Sequence, residues 1–167
     1  MNDALRELGS RIMMMFGRGV IRGVDDSGSR QRVQVELLKG ELRDGVEHMQ
    51  NYGFTSHPKG GDAAVAFLGG SREQGIVLVI DDRRYRLALQ PGEVAIFDDL
   101  GNKVELLRDM VKITAVQKIQ IDAPAGEFNI DDLEVNGASL KHNGKNIGST
   151  HVHGGVLVGG ANTEEPA

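Results

Sequence analysis

His151-Val152-His153-Gly154-Gly155 is the stretch whose residue types and spacing could do chemistry. In an extended chain alternate side chains share a face, which puts the two imidazoles on one side, roughly 6–7 Å apart. That pair can pinch one metal ion. Two ligands are too few for a stable site, because even tetrahedral zinc takes three or four protein groups. The missing ligands must come from elsewhere in the chain or from other copies of it. The blander reading of the same residues is a solvated turn. The other histidines are weaker candidates. His142 lies in the polar turn Lys141-His142-Asn143-Gly144-Lys145-Asn146, and His48 and His57 fall in loops, so all three read as surface residues.

Little else invites catalysis. The 167 residues include no cysteine, which excludes disulfides, thiolate metal sites and cysteine nucleophiles. Ser149-Thr150-His151 has no obvious acidic orienter, and the glycine pairs lack the lysine of a phosphate loop. Asp81-Asp82, Asp98-Asp99 and Asp131-Asp132 read as solvated turns. Asp131 and Asp132 stay candidates for calcium, since a symmetry axis would multiply their carboxylates. A net charge of −5 and a pI near 5.5 lack the basic footprint of a nucleic-acid partner.

The elements that must position the histidines come next. Asp3 to Phe16 reads as a short helix: Leu5, Leu8, Ile12 and Met15 recur at helical spacing, and Asn2 or Asp3 can cap it. Its apolar face, with the Met13-Met14-Met15 run, packs on its own protein or on a partner. Met1 to Leu8 lacks the basic start and apolar core of a signal peptide, and no apolar run approaches roughly 18 residues. The chain is therefore expected to be made in a cytoplasm and to meet any membrane from outside.

From Gly17 to Arg86 short β-rich runs, Val20 to Val24, Arg32 to Leu38, Ala63 to Leu68 and Gly75 to Ile80, alternate with turn clusters. They predict a small closed barrel of the OB type over 17–86. Glycine is plentiful (23 residues) and aromatics are only 4%, too few for the stacking platforms of an oligonucleotide-binding groove, so a scaffolding barrel is expected. Another strand is predicted over Glu93 to Phe97, followed by a turn at Asp98 to Asn102.

Past Gly101 the chain reads as a period-2 ribbon. Val111, Ile113, Ala115, Ile119, Ile121 and Ala123 share one parity, interrupted by Gln117, and the phase shifts around Pro124-Ala125-Gly126. No helix is predicted to cover this stripe, and a lone ribbon leaves its edges unpaired. Intertwining several copies solves both problems. Three copies give a thin core that suits Val, Ile and Ala. Two histidines per chain then become six, a saturated octahedral site suited to Fe(II), Co(II) or Ni(II), with iron favoured by availability. Such an ion would be structural.

At this point the chain resembles a known family. The segment from Ala63 and Val65 through Ala66-Phe67-Leu68-Gly69-Gly70-Ser71-Arg72-Glu73-Gln74-Gly75 with Ile76 to Asp82, and Ile147-Gly148-Ser149-Thr150-His151-Val152-His153-Gly154-Gly155-Val156, are similar to the barrel and tip segments of contractile-phage central tail spikes. These are the baseplate assembly protein V family, here in its Mu-type form. The resemblance implies an all-β homotrimeric needle: helix 1–16, OB-like barrel 17–86, triple-stranded β-helix shaft 87–140 and apex 141–167. It implies that His151 and His153 of each chain hold one axial iron, and that Gly154 and Gly155 shape the apex. It also implies baseplate hub and tail tube partners, a place at the tail tip of the virion, and mechanical piercing of the host outer membrane. Two rival readings remain: a metalloenzyme using His151, His153 and a third ligand such as His142, and a barrel that binds saccharide or nucleic acid.

Overall fold

The structure, a computed structural model, describes residues 2–152 together with Gly155 and Gly159. The chain divides into two compact units, 1–119 and 120–167.

The first unit opens with helix α1, Asn2–Met13. It ends three residues earlier than the periodicity suggests. The Met15 N–H takes the Ile12 carbonyl at 3.1 Å, tightening the last turn, and the Met15 carbonyl accepts from Phe67 at 2.8 Å. That bond hands the chain to a strand that starts at Phe16. The strands are β1 (Phe16–Asp25), β2 (Arg32–Leu38), β3 (Glu41–His48), β4 (Gly61–Phe67) and β5 (Gly75–Asp81). They close in the order β1-β2-β3-β5-β4, with β3 parallel to β5 and the other pairings antiparallel. This is the closed, OB-like barrel that the turn spacing predicts.

The core follows from the alternation. Val33 and Val35 point inward from β2 and meet Ile21, Val46, Ala63, Val65, Phe67 and Val77. Phe67 is the only aromatic among them, so this narrow interior is filled largely by valine. Gly19 is what lets the walls close. A Cβ there would stand 2.4 Å from Cγ1 of Val35 and 2.9 Å from the Glu36 carbonyl oxygen. Strand β3 was not anticipated. Its run Glu41-Leu42-Arg43-Asp44-Gly45-Val46-Glu47-His48 buries only Val46 fully, and it is a strand because β2 pairs with it.

After the barrel, β6 (Val94–Phe97), β7 (Lys103–Leu106) and β8 (Val111–Thr114) form an antiparallel meander. Its first turn is built by Asp98, whose Oδ1 accepts from the backbone N–H groups of Leu100 and Asn102, both at 2.9 Å. The Asn102 side-chain amide donates to Oδ2 at 2.6 Å, and these bonds, that one foremost, hold the Asp98 carboxyl below its usual pKa. Lys59, in the loop before β4, pairs with Asp99 of the same turn and ties barrel to meander.

The expected ribbon forms only its first strand, β8. From 115 to 140 the chain makes no strand or helix. Its apolar side chains stand in solvent, with Ile119 56%, Ile121 78%, Phe128 76% and Val135 60% exposed. The physical reason is the edge problem: a single chain offers this stretch nothing to pair with. In the second unit β9 (Lys141–His142) and β10 (Lys145–Asn146) make a minimal hairpin. Asn143 and Gly144 both have positive φ, 48° and 77°, the signature of a two-residue turn matched to strand twist.

Candidate metal centre

His151 stands at the end of a short chain of hydrogen bonds that starts from this hairpin. The Ile147 N–H donates to the Leu140 carbonyl at 2.8 Å and extends the hairpin past its last strand pair. The Asn146 side chain then braces the next turn from both ends. Its Oδ1 accepts from the Gly148 N–H at 3.0 Å, and its Nδ2 donates to the Thr150 hydroxyl at 2.7 Å. Inside that turn the Gly148 carbonyl accepts twice from His151, from the backbone N–H at 3.0 Å and from ring Nδ1 at 2.9 Å. A carbonyl can only accept, so in this contact Nδ1 is the donor. This is how ligating histidines are commonly oriented: one nitrogen donates to a fixed acceptor and the other is presented to the ion. Gly148 is cramped. A Cβ would lie 3.3 Å from both Leu140 N and Asn146 Oδ1.

His153 and Gly154 lie outside the described residues. Gly155 has φ +78°, a left-handed conformation that glycine adopts without strain. Among the described residues no three His, Asp or Glu side chains converge on a metal-sized space. Asp131 and Asp132 are exposed in a bend. His142 places its Nε2 3.1 Å from the Asn143 side-chain nitrogen. Among the described residues of this stretch, His151 offers an imidazole, in a chain without thiolates. That chemistry fits a borderline transition metal such as iron, nickel or cobalt.

Sequence reasoning placed His48 in a surface loop, which the structure corrects. His48 ends β3, is half-buried, and its Nδ1 lies 2.7 Å from Oε1 of buried Gln31. Burial pushes its pKa down. Gln31 also donates to the Ser56 carbonyl at 2.8 Å, pinning the β3–β4 loop. A lone glutamine between turn residues carries no periodic signal that could have announced this. His57 is exposed as expected, 3.5 Å from an Asp26 oxygen.

Residues 18–84, the barrel, match the family described as "Bacteriophage Mu Gp45, N-terminal". The chain is 35% identical over 145 residues to the "Baseplate puncturing device gp45" of Escherichia phage Mu, covering 81% of this chain and 73% of that protein. It is 28% identical over 169 residues to the "Mu-like prophage FluMu protein gp45" of Haemophilus influenzae, covering 91% of this chain and 93% of that one. The matched residues therefore run well beyond the barrel. This chain belongs to the family of the bacteriophage Mu baseplate protein gp45.

Proposed function

We propose that the protein is the central tail spike of a Mu-like contractile phage. In this reading it is a homotrimeric needle that caps the tail tube beneath the baseplate hub and pierces the host outer membrane when the sheath contracts. It works as a part of the virion tail, by mechanics and not by catalysis. The observation that carries this reading is the row of exposed aliphatic and aromatic side chains from Val111 to Val135, in a stretch that forms no strand or helix between 115 and 140. A stripe of that size on a soluble protein marks an interface. Three copies wound around one axis turn the stripes inward and pair every edge. Shared backbone hydrogen bonds then spread an axial load over many bonds, and no chain can unravel alone.

The tip completes the needle. One His151 and one His153 from each chain supply six imidazoles, which saturate one iron and leave no position for substrate. His151 meets the ion through Nε2, because Gly148 holds the proton on Nδ1. The ion fastens chain ends that have little apolar surface of their own, where fraying would begin. Calcium at Asp131 and Asp132 is a lesser part of the proposal, which needs three pairs of carboxylates brought to the axis.

The test is native mass by light scattering, combined with elemental analysis of the purified protein. Three chains carrying one iron bear the reading out. A monomer carrying one zinc overturns it in favour of a one-chain metal site.

A further inference from the structure

Helix α1, which touches the turn at Leu68–Gly70, carries a second exposed apolar face, in the first unit. Leu5, Leu8 and Ile12 are 60%, 54% and 56% exposed. Their spacing, three residues and then four, is that of alternating a and d positions in a heptad seam. The rest of the helix follows the same register. Ala4 and Gly9 flank the seam and are small, while Asp3, Arg6, Glu7 and Ser10 fall on the outer positions. Glu7, on an outer position, pairs at 2.9 Å along the helix with Arg11, which flanks the seam. Gly9 weakens an isolated helix. Nothing in its own chain explains it, since a Cβ there would meet no atom within 4 Å. A glycine beside an apolar seam suits the close approach of another helix.

We propose that this seam is covered by the α1 helices of other copies of the same chain, which form a short parallel bundle at the N-terminal end of the assembly. The face is complementary to itself. Apolar residues meet apolar residues across it, Ala4 and Gly9 leave room on its flanks, and three of the four helix charges, Asp3, Arg6 and Glu7, stay outside while Arg11 flanks the seam. The contact is too small to act alone. Burying these side chains removes on the order of 100 Å² of apolar surface each, which over three copies falls short of the roughly 1,200 Å² of a specific interface. A 12-residue helix is also marginal in isolation. The bundle therefore rests on the trimer proposed above, in which the other helices are present at a local concentration of order millimolar. It would close the end of the assembly that the metal does not reach and keep the barrels in register.

The absence of cysteine from the chain makes the test clean. Leu8→Cys puts the only thiol at a d position, Leu5→Cys puts it at the adjacent a position, and Ser10→Cys puts it on the opposite side of the helix. Each full-length variant is weighed by light scattering, then air-oxidised and run on a non-reducing gel. The expected result is a trimer mass throughout, with disulfide-linked dimer formed rapidly by Leu8→Cys and Leu5→Cys and several-fold more slowly by Ser10→Cys. Trimers in which seam and outer thiols link equally, or not at all, overturn the bundle and leave the trimer standing. A monomer mass for the unsubstituted protein overturns both.

Discussion

In the proposed metal site, the proton on Nδ1 of His151 is the most consequential single hydrogen, because it decides which nitrogen would meet the ion. The Gly148 carbonyl holds it there, and Asn146 holds Gly148. Removing such an outer partner commonly weakens metal affinity about 10–100-fold. Asn146→Ala is expected to lose the tip metal to a chelator at correspondingly lower concentration, with native mass unchanged. Retention equal to the unsubstituted protein would show that the turn needs no brace. His151→Ala combined with His153→Ala goes further: the trimer persists without metal, the apex frays, and phage carrying both changes infect poorly. Infection at the normal rate would remove the tip metal from the mechanism. His48 makes a prediction in the barrel. Burial lowers its folded pKa below the ordinary value of about 6.5, so the unfolded chain binds the proton more readily. The stability His48 contributes is whole above that pH and is lost progressively as acid brings the pH down through the folded value. Denaturant midpoints measured between pH 7.5 and 5 should fall with acid, and His48→Gln should flatten the slope. An unchanged slope would assign the acid sensitivity to other groups.

At the scale of elements, the barrel is held by the fit between strands more than by large side chains. Gly19 and Val35 are the sharpest case. Gly19→Ala forces a methyl against Val35 and should cost about 1–3 kcal/mol by overpacking, while Val35→Ala should cost about 1.5–3 kcal/mol by leaving a void. Together they should cost less than their sum, with a coupling of about 0.5–3 kcal/mol. The relief is partial, because the Glu36 carbonyl still crowds position 19. Additive costs in denaturant unfolding would mean that the barrel relaxes there. This interplay also shows what the sequence carried. The alternation Arg32-Val33-Gln34-Val35-Glu36-Leu37 folds as it reads, since period-2 burial is written in residue types. Strand β3 was illegible because its pattern is mostly charged and its strand character comes from its neighbour. The histidine pair was legible as a candidate ligand set, whereas the hydrogen bonds that brace the turn at His151 were not. Gly148 acts through a backbone carbonyl, which any residue possesses, so no residue type could announce it.

Across the whole molecule, the same residue types meet two different fates. In the barrel, aliphatic side chains alternate with polar ones and find their cover within the chain. From Val111 to Ala123 they share one parity, interrupted at Gln117, and among the described residues they find no such cover. The difference lies in closure: five strands return to pair with the first, while in the proposed assembly a ribbon without return takes its partners from other copies. In the proposed assembly each stripe residue then appears three times around one axis, so one substitution acts three times. Ile121, 78% exposed in the single chain, would give up about 1.5–3 kcal/mol per copy on losing its burial. Replacing it with aspartate would also place three carboxylates together in a dry core, which costs more still. Ile121→Asp should therefore shift native mass from trimer toward monomer, while the barrel keeps its own cooperative unfolding transition. Asp122→Ala, on the opposite parity, should leave the mass unchanged. Trimers that tolerate aspartate at position 121 would show that the stripe does not face an axis. Monomers with an unfolded barrel would show instead that barrel and ribbon stand or fall together.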